Sequence, residues 1–378
     1  MDLHTLETPS LILDRKKLEH NIARMEDRMA AAGVLLRPHG KTAKSSEVMS
    51  LFRNARKNGI SVSTVKEAEY YFSHGFKDIL FAVGFSPQKL DRIFKLVKKG
   101  AHITVIADSL VQADAAANAA EQHKAVLPVM IEIDCDSQRA GITPDDPLLP
   151  NLGRFIEASP HLILKGVLTH AGKAYQATSP ETIKEIVHQE QEAVRESRRR
   201  LAEAGLPCPV TSIGSTPTAA VAREFHGIDE VRAGVFMFQD LVTAGLDVCS
   251  KEDIALSVLT TIISVRKQMN RIIVDAGWTA LSRDRGTMGQ KTDQGYGVVC
   301  DPCGKPISGL IVSSVNQEHG VITHRENKPI LLDRFPVGRR LRILPNHACA
   351  TAACHDRYHV LGESDQIEDQ WIRINGWV

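Results

Sequence analysis

Short apolar runs rich in Val, Ile and Leu alternate with longer amphipathic stretches through the first two thirds of the chain, a rhythm that predicts strand and helix in turn. A strand over Ser10–Asp14 and a helix over Lys16–Ala32 come first. Eight further strands are predicted over Val34–Arg37, Ile60–Ser63, Ile79–Val83, Ile103–Ala107, Val126–Asp134, Ile163–Thr169, Val210–Ile213 and Asp229–Arg232. Between them Val65–His74, Gln88–Lys99, Leu110–His123 and Pro180–Ala204 place apolar residues at helical spacing with charges opposite. Eight parallel strands with intervening helices predict an α/β fold, a closed (β/α)8 TIM-type barrel. An open doubly wound sheet shows the same alternation, but the Gly-x-Gly-x-x-Gly turn of its dinucleotide-binding form is absent after the first strand.

After about Leu246 the texture changes. Ile254–Val265, Arg271–Val274, Gly297–Val299, Leu310–Val315, Gly320–Thr323 and Arg340–Leu344 read as strands separated by turn residues, which predicts a mostly antiparallel β domain. The expected division is a barrel over 15–245 and a β domain over 246–378, with 1–14 joining the latter. A length of 378 residues suits one barrel with an appended domain.

Composition narrows the partners. Lys and Arg number 46 against 45 for Asp and Glu, so no net field holds a polyanion or an acidic membrane, and nucleic acid is excluded as an expected partner. The opening Met1–Asp14 lacks a basic region followed by an apolar run, and no stretch has the length of a membrane span; the expectation is a cytoplasmic protein. Seven scattered cysteines read as reduced thiols, and Cys300-x-x-Cys303, with Asp-Pro inside and Gly304 behind, reads as a turn.

In such barrels the chemistry collects in loops after the strands. The first barrel strand runs into Arg37-Pro38-His39-Gly40-Lys41-Thr42. A lysine at the rim can lose its proton and form a Schiff base, whereas a solvated loop lysine cannot; both readings of Lys41 are open at this point. The seventh strand ends in Gly214-Ser215-Thr216-Pro217-Thr218 and the eighth in Arg232-Ala233-Gly234-Val235, two small-residue loops at the positions where barrels bind phosphate. Arg139, after the fifth strand, is a candidate for a phenolate-like oxygen or for a surface ion pair, and His170 and Tyr175 follow the sixth.

A second constellation is Pro345-Asn346-His347-Ala348-Cys349. If extended, it puts His347 and Cys349 on one face, two ligands for a borderline metal such as zinc; a buried Cys beside a satisfied His is the alternative. Two ligands leave open positions, so such a metal would act as a Lewis acid.

With Thr8-Pro9-Ser10, Asp275-Ala276-Gly277 and Gln317-Glu318-His319-Gly320 added to these motifs, the sequence resembles the D-threonine aldolase and D-serine dehydratase family, the metal-assisted relatives of alanine racemase among fold type III pyridoxal-phosphate enzymes. The resemblance spans nearly the whole chain. It implies pyridoxal 5′-phosphate on Lys41, cofactor contacts from Arg139, Tyr175, Ser215, Thr216, Gly234 and Val235, a divalent metal (zinc, or manganese or cobalt) on His347 and Cys349, and a homodimer. Aldolases of the family tend to carry Asp where this chain has Cys349, so the His-x-Cys pair follows the dehydratase pattern. Gly277–Tyr296 most resembles the bacterial D-threo-3-hydroxyaspartate dehydratase branch.

The implied reaction is removal of the α-proton of a D-3-hydroxy amino acid by Lys41, with the metal activating the β-hydroxyl as leaving group, to give a keto acid and ammonia. D-threonine aldolase activity, giving glycine and an aldehyde, is the alternative from the same parts; a non-catalytic pyridoxal-phosphate carrier and a racemase are the others. Arg283, Arg285, Lys173 and His319 are candidates to hold a second substrate carboxylate.

Overall fold

The computed structural model describes residues 3–362 and 366–378. The chain divides into two compact units, Arg24–Gly234 with Gly376–Val378, and Met1–Ala23 with Val235–Asn375.

β1 (Ser10–Asp14) precedes the barrel strands. These are β2 (Leu35–Pro38), β3 (Ile60–Val62), β4 (Asp78–Phe81), β5 (His102–Ala107), β6 (Leu127–Ile133), β7 (Leu162–Thr169), β8 (Val210–Ile213) and β9 (Glu230–Ala233). They pair in parallel in the order β2-β9-β8-β7-β6-β5-β4-β3. The two end strands meet: His39 bridges Ser61, and Gly40 N–H donates to Ser61 O at 2.8 Å, so the sheet closes on itself. Strands such as β3 and β9 are buried along their whole length, as expected where helices cover a parallel sheet. Helices start where the sequence offers caps. Thr64 accepts from Glu67 N ahead of Val65–Ser73, and Ser109 and Ser179 do the same for Leu110–His123 and Pro180–Glu203.

The second unit is built on one nine-stranded sheet. Its later strands are β10 (Leu256–Arg266), β11 (Arg271–Val274), β12 (Val298–Cys300), β13 (Pro306–Val315), β14 (Gly320–His324), β15 (Arg340–Leu344), β16 (Arg357–Leu361) and β17 (Ile367–Ile372). β1 lies between β10, antiparallel to it, and β16, parallel to it. The early strand thus belongs to the β sheet rather than the barrel. β16 and β17 have no counterpart among the expected strands. β17, Ile-Glu-Asp-Gln-Trp-Ile, buries only Ile367 and Trp371, so it carries almost no apolar run to detect.

All seven cysteines are free thiols. Cys300 is buried at the end of β12 and Cys303 lies exposed in the following turn, which Gly304 N–H closes onto Asp301 O at 2.9 Å. Among the described residues no helix is long and apolar enough to cross a membrane.

Candidate functional site

Lys41 sits just past the end of β2 in a loop pinned from several sides. Gly40 N–H is held by Ser61 O, and Gly40 O accepts from Lys44 N at 2.8 Å and from the Tyr71 hydroxyl at 2.9 Å. A Cβ at Gly40 would lie 2.5 Å from the Tyr71 ring, which is why this loop needs a glycine before the lysine. Lys41 N–H donates to His39 Nδ1 at 3.4 Å. The lysine side chain itself is exposed at the rim.

The neighbours of Lys41 are cations and neutral imidazoles. Desolvation, with Arg139, Lys41 and Arg232 close by, holds His170 well below the usual imidazole range. Desolvation with Lys41, Arg232 and His170 does the same to His39. Both rings are therefore neutral near pH 7, and the positive charge at this end of the barrel comes from Lys41, Arg139 and Arg232. Arg232 is buried on β9 and donates to Ser212 Oγ and Thr169 O, each at 2.5 Å. Ser212 Oγ donates in turn to Glu230 at 2.7 Å, and Glu230 accepts from Arg37, which also reaches Asp78 at 2.8 Å. Within this network Arg37, Glu230 and Arg232 are each met by hydrogen bonds, the condition for keeping ions in a barrel.

The expected phosphate loops are small and tightly set. Ser215 accepts from Thr218 N at 3.2 Å, lies 2.8 Å from Thr218 Oγ1 and caps the helix Thr216–Val221. Thr216 N–H donates to the Tyr175 hydroxyl at 3.2 Å, joining two of the candidate residues. A Cβ at Gly214 would fall 1.8 Å from Arg232 O, and one at Gly234 would fall 2.6 Å from Thr42 Oγ1. Val235 is buried and opens the short turn Val235–Met237. Glu190, fully buried on Pro180–Glu203, ties the loop after β8 to the one after β7: its Oε1 accepts from Ala171 N at 3.2 Å and Gly214 N at 3.0 Å.

In the β unit His347 and Cys349 do come together, though not on a strand. Cys349 lies in the first turn of a helix, Ala348–Ala353, with His347 extended at its N-cap. Alanine at 348, 350, 352 and 353 favours helix, and the Asp240 carboxylate accepts the Ala348 N–H at 3.0 Å, so the period-of-two expectation fails here. His347 Nδ1 lies 2.8 Å from Asp284 Oδ2. Desolvation opposes charging of His347, but bonds to Asp284 and Cys349 outweigh it and push the imidazole up to about 11. The same bond to His347 holds Asp284 below the usual carboxylate range. Among the described residues no group of three or more His, Cys, Asp and Glu is gathered for a metal, so any ion here has two protein donors, an imidazole and a thiolate.

The candidates for a second carboxylate are separated by the structure. Arg285 pairs with Asp293 at 2.6 Å and lies over Tyr296, while the Arg283 guanidinium lies 4.6 Å from the Trp278 ring. Lys173 is exposed on the short helical turn Gly172–Gln176 and His319 on the loop before β14. Arg232, Glu190, Asp240 and Asp284 were not assigned roles from sequence. Only Arg232 and Asp284 stood within motifs that could have flagged them.

Comparison with known proteins agrees with this architecture. The model for the N-terminal domain of alanine racemase matches residues 13–241, and that for a putative serine dehydratase domain matches 255–361. The D-threo-3-hydroxyaspartate dehydratase of Delftia sp. (strain HT23) is 45% identical over 99% of both chains. The chain belongs to the D-threonine aldolase and D-serine dehydratase family. Other relatives include a D-serine dehydratase of Dictyostelium discoideum, 30% identical over 100% of this chain and 98% of its own, and a 3-hydroxy-D-aspartate aldolase of Paracoccus denitrificans (strain Pd 1222), 30% identical over 98% and 92%. The solved Delftia enzyme superposes with a TM-score of 0.97 over 100% of both chains. A cysteine-to-alanine mutant of that enzyme has been solved in a metal-free form. For this family the alanine racemase-like barrel with an antiparallel β domain is the shared fold.

Proposed function

We propose that this lyase is a pyridoxal-phosphate-dependent dehydratase of D-3-hydroxy amino acids, with D-threo-3-hydroxyaspartate as its preferred substrate. Support comes first from the convergence of Lys41, Arg139, Arg232, His39 and His170 at one end of the barrel. An amine among cations and neutral rings, beside glycines that leave no room for a Cβ, suits an anionic aldehyde cofactor. Lys41 Nζ would hold it covalently. Tyr175, Ser215, Thr216, Gly234 and Val235 would border its phosphate, and Arg139 its phenolate oxygen. Pyridoxal 5′-phosphate, when bound, supplies a carbonyl that condenses with amines and a ring that takes up the electrons left at the α-carbon.

Lys41 Nζ is then the group that takes the α-proton, and the pinned loop beneath it fixes the face from which it does so. Thr216 N–H and the Tyr175 hydroxyl orient one another, which sets the wall of the phosphate loops.

His347 and Cys349 fit a divalent metal with open positions. Zinc suits this donor pair, with manganese or cobalt as alternatives, and such an ion supplies a Lewis acid that improves a hydroxide leaving group. The Cys at 349 favours elimination over aldol cleavage. Arg283, which pairs with no carboxylate among the described residues, is the proposed contact for the second carboxylate of hydroxyaspartate. The proposal includes a homodimer in a cytoplasmic setting, where seven free thiols stay reduced.

The deciding experiment incubates the purified protein with D-serine, D-threonine and both D-3-hydroxyaspartate diastereomers, with and without added zinc, manganese or cobalt. A keto acid and ammonia are expected, fastest from the threo diastereomer. Glycine with an aldehyde as main products, or turnover and cofactor absorption that survive Lys41→Ala, would overturn the reading.

A further inference from the structure

We infer that Asp284 is a positioning residue for metal binding: it holds the proton of His347 on Nδ1, so that Nε2 is the nitrogen offered to the metal. The inference rests on the proposed His347–Cys349 metal site and adds to it a partner that neither the motif nor the family comparison assigns.

The bond is held from both ends. Asp284 Oδ2 meets His347 Nδ1 at 2.8 Å, while its Oδ1 accepts from Gly286 N at 2.8 Å, so the carboxylate cannot turn away without losing a backbone partner. Asp284 N–H donates to Ser282 Oγ at 3.2 Å. The loop that carries it is tied to the residue before the histidine: Asn346 Oδ1 accepts from Thr287 N at 3.0 Å, and Asn346 Nδ2 donates to Gly295 O at 2.5 Å. A further clasp joins Thr351 Oγ1 to Leu281 O at 2.9 Å. On the other side Asp240 grips Ala348 N with Oδ2 and Thr243 N with Oδ1. The His347–Cys349 turn is thus fixed by one acid and its imidazole by another.

An ionised carboxylate only accepts, so the shared proton must be on the ring. A metal takes a ring nitrogen that carries no proton, and with the Nδ1 proton held by Asp284 the lone pair left for the metal is that of Nε2. A carboxylate behind a ligating histidine also raises the basicity of the far nitrogen, and its loss weakens metal binding by about 10–100-fold. With two protein donors in place of three or four, a larger share of the affinity depends on this histidine.

The test titrates the full-length protein with zinc against a chromophoric chelator, and with cobalt to read the thiolate–metal charge-transfer band. Asp284→Asn keeps the side-chain size and an acceptor for Gly286 N. It is expected to weaken zinc about 10–100-fold while the charge-transfer band persists at saturating cobalt. Asp284→Glu, which restores the charge, is expected to recover part of that loss. In the zinc-loaded protein with 15N-labelled histidine, a slowly exchanging Nδ1–H resonance is expected and should be lost in Asp284→Asn. Thermal melts of the metal-free forms show whether each variant folds. Zinc binding by folded Asp284→Asn equal to that of the unsubstituted protein would overturn the inference alone. Absence of stoichiometric zinc in the unsubstituted protein, or binding that survives His347→Ala, would overturn the metal site and the inference with it.

Discussion

Glu190 brings a carboxyl group into a fully buried position and uses one oxygen to hold the N–H groups of Ala171 and Gly214, in the loops after β7 and β8. Burial holds this carboxyl above the usual carboxylate range. The folded state therefore keeps the proton to higher pH than the unfolded chain does. Stability contributed by the protonated form is lost as pH rises from the ordinary carboxylate value through the raised one. Glu190→Gln should flatten that part of the stability profile in urea melts while keeping an acceptor; an unchanged slope would show that Glu190 does not titrate with folding. Glu190→Leu should cost about 1–3 kcal/mol for each backbone N–H left without an acceptor. Residues such as this were not legible beforehand, because a glutamate on an amphipathic helix reads as surface until the loops it supports are known. The position of Lys41 at the barrel rim was legible, since its place after an apolar run and before two small-residue loops is a matter of order along the chain. Asp284 stands 63 residues from His347, and no local spacing announces that bond.

The elements with strong periodicity follow their patterns closely: Val210–Ile213, Arg271–Val274, Arg340–Leu344 and Leu110–His123 have the expected bounds. Those that escaped notice share a cause, a local signal too weak or too mixed. The helix Leu148–Ala158 contains Pro150 and Gly153, both helix breakers on paper. Pro150 is tolerated because it lies in the first turn, where its missing N–H is not needed, and Gly153 is small where a Cβ would lie 2.8 Å from Leu206. Short helices are likewise decided by their caps. Thr216–Val221 has only six residues and depends on Ser215. Ser215→Ala should lower stability by about 1 kcal/mol in chemical denaturation. It should also weaken retention of the cofactor on dialysis, since the same turn carries the proposed phosphate loop; a variant with unaltered stability and retention would deny the cap that role.

At the scale of the molecule, β1 is the piece whose place matters most, because it links β10 on one side to β16 on the other within a single sheet. Ile12 is fully buried and aligned with Ser257 and His359. Ile12→Pro removes an N–H from a central strand, where proline is essentially confined to edges. It should leave the β unit unable to complete its sheet, read as loss of soluble, cooperatively melting protein; a soluble variant with an unchanged melt would refute this. The amino-acid sequence alone determined the alternation of strand and helix, the change to β texture, and the order of lysine, small-residue loops and His-x-Cys pair, because these depend on periodicity and spacing between near neighbours. Tertiary structure decided the closure of β2 onto β3, the seat of β1 in the far sheet, the Arg37–Glu230–Ser212–Arg232 chain and the Asp284–His347 bond. Those arise where buried charges and unpaired backbone groups must find partners, and such partners are chosen by proximity in space rather than by position along the chain.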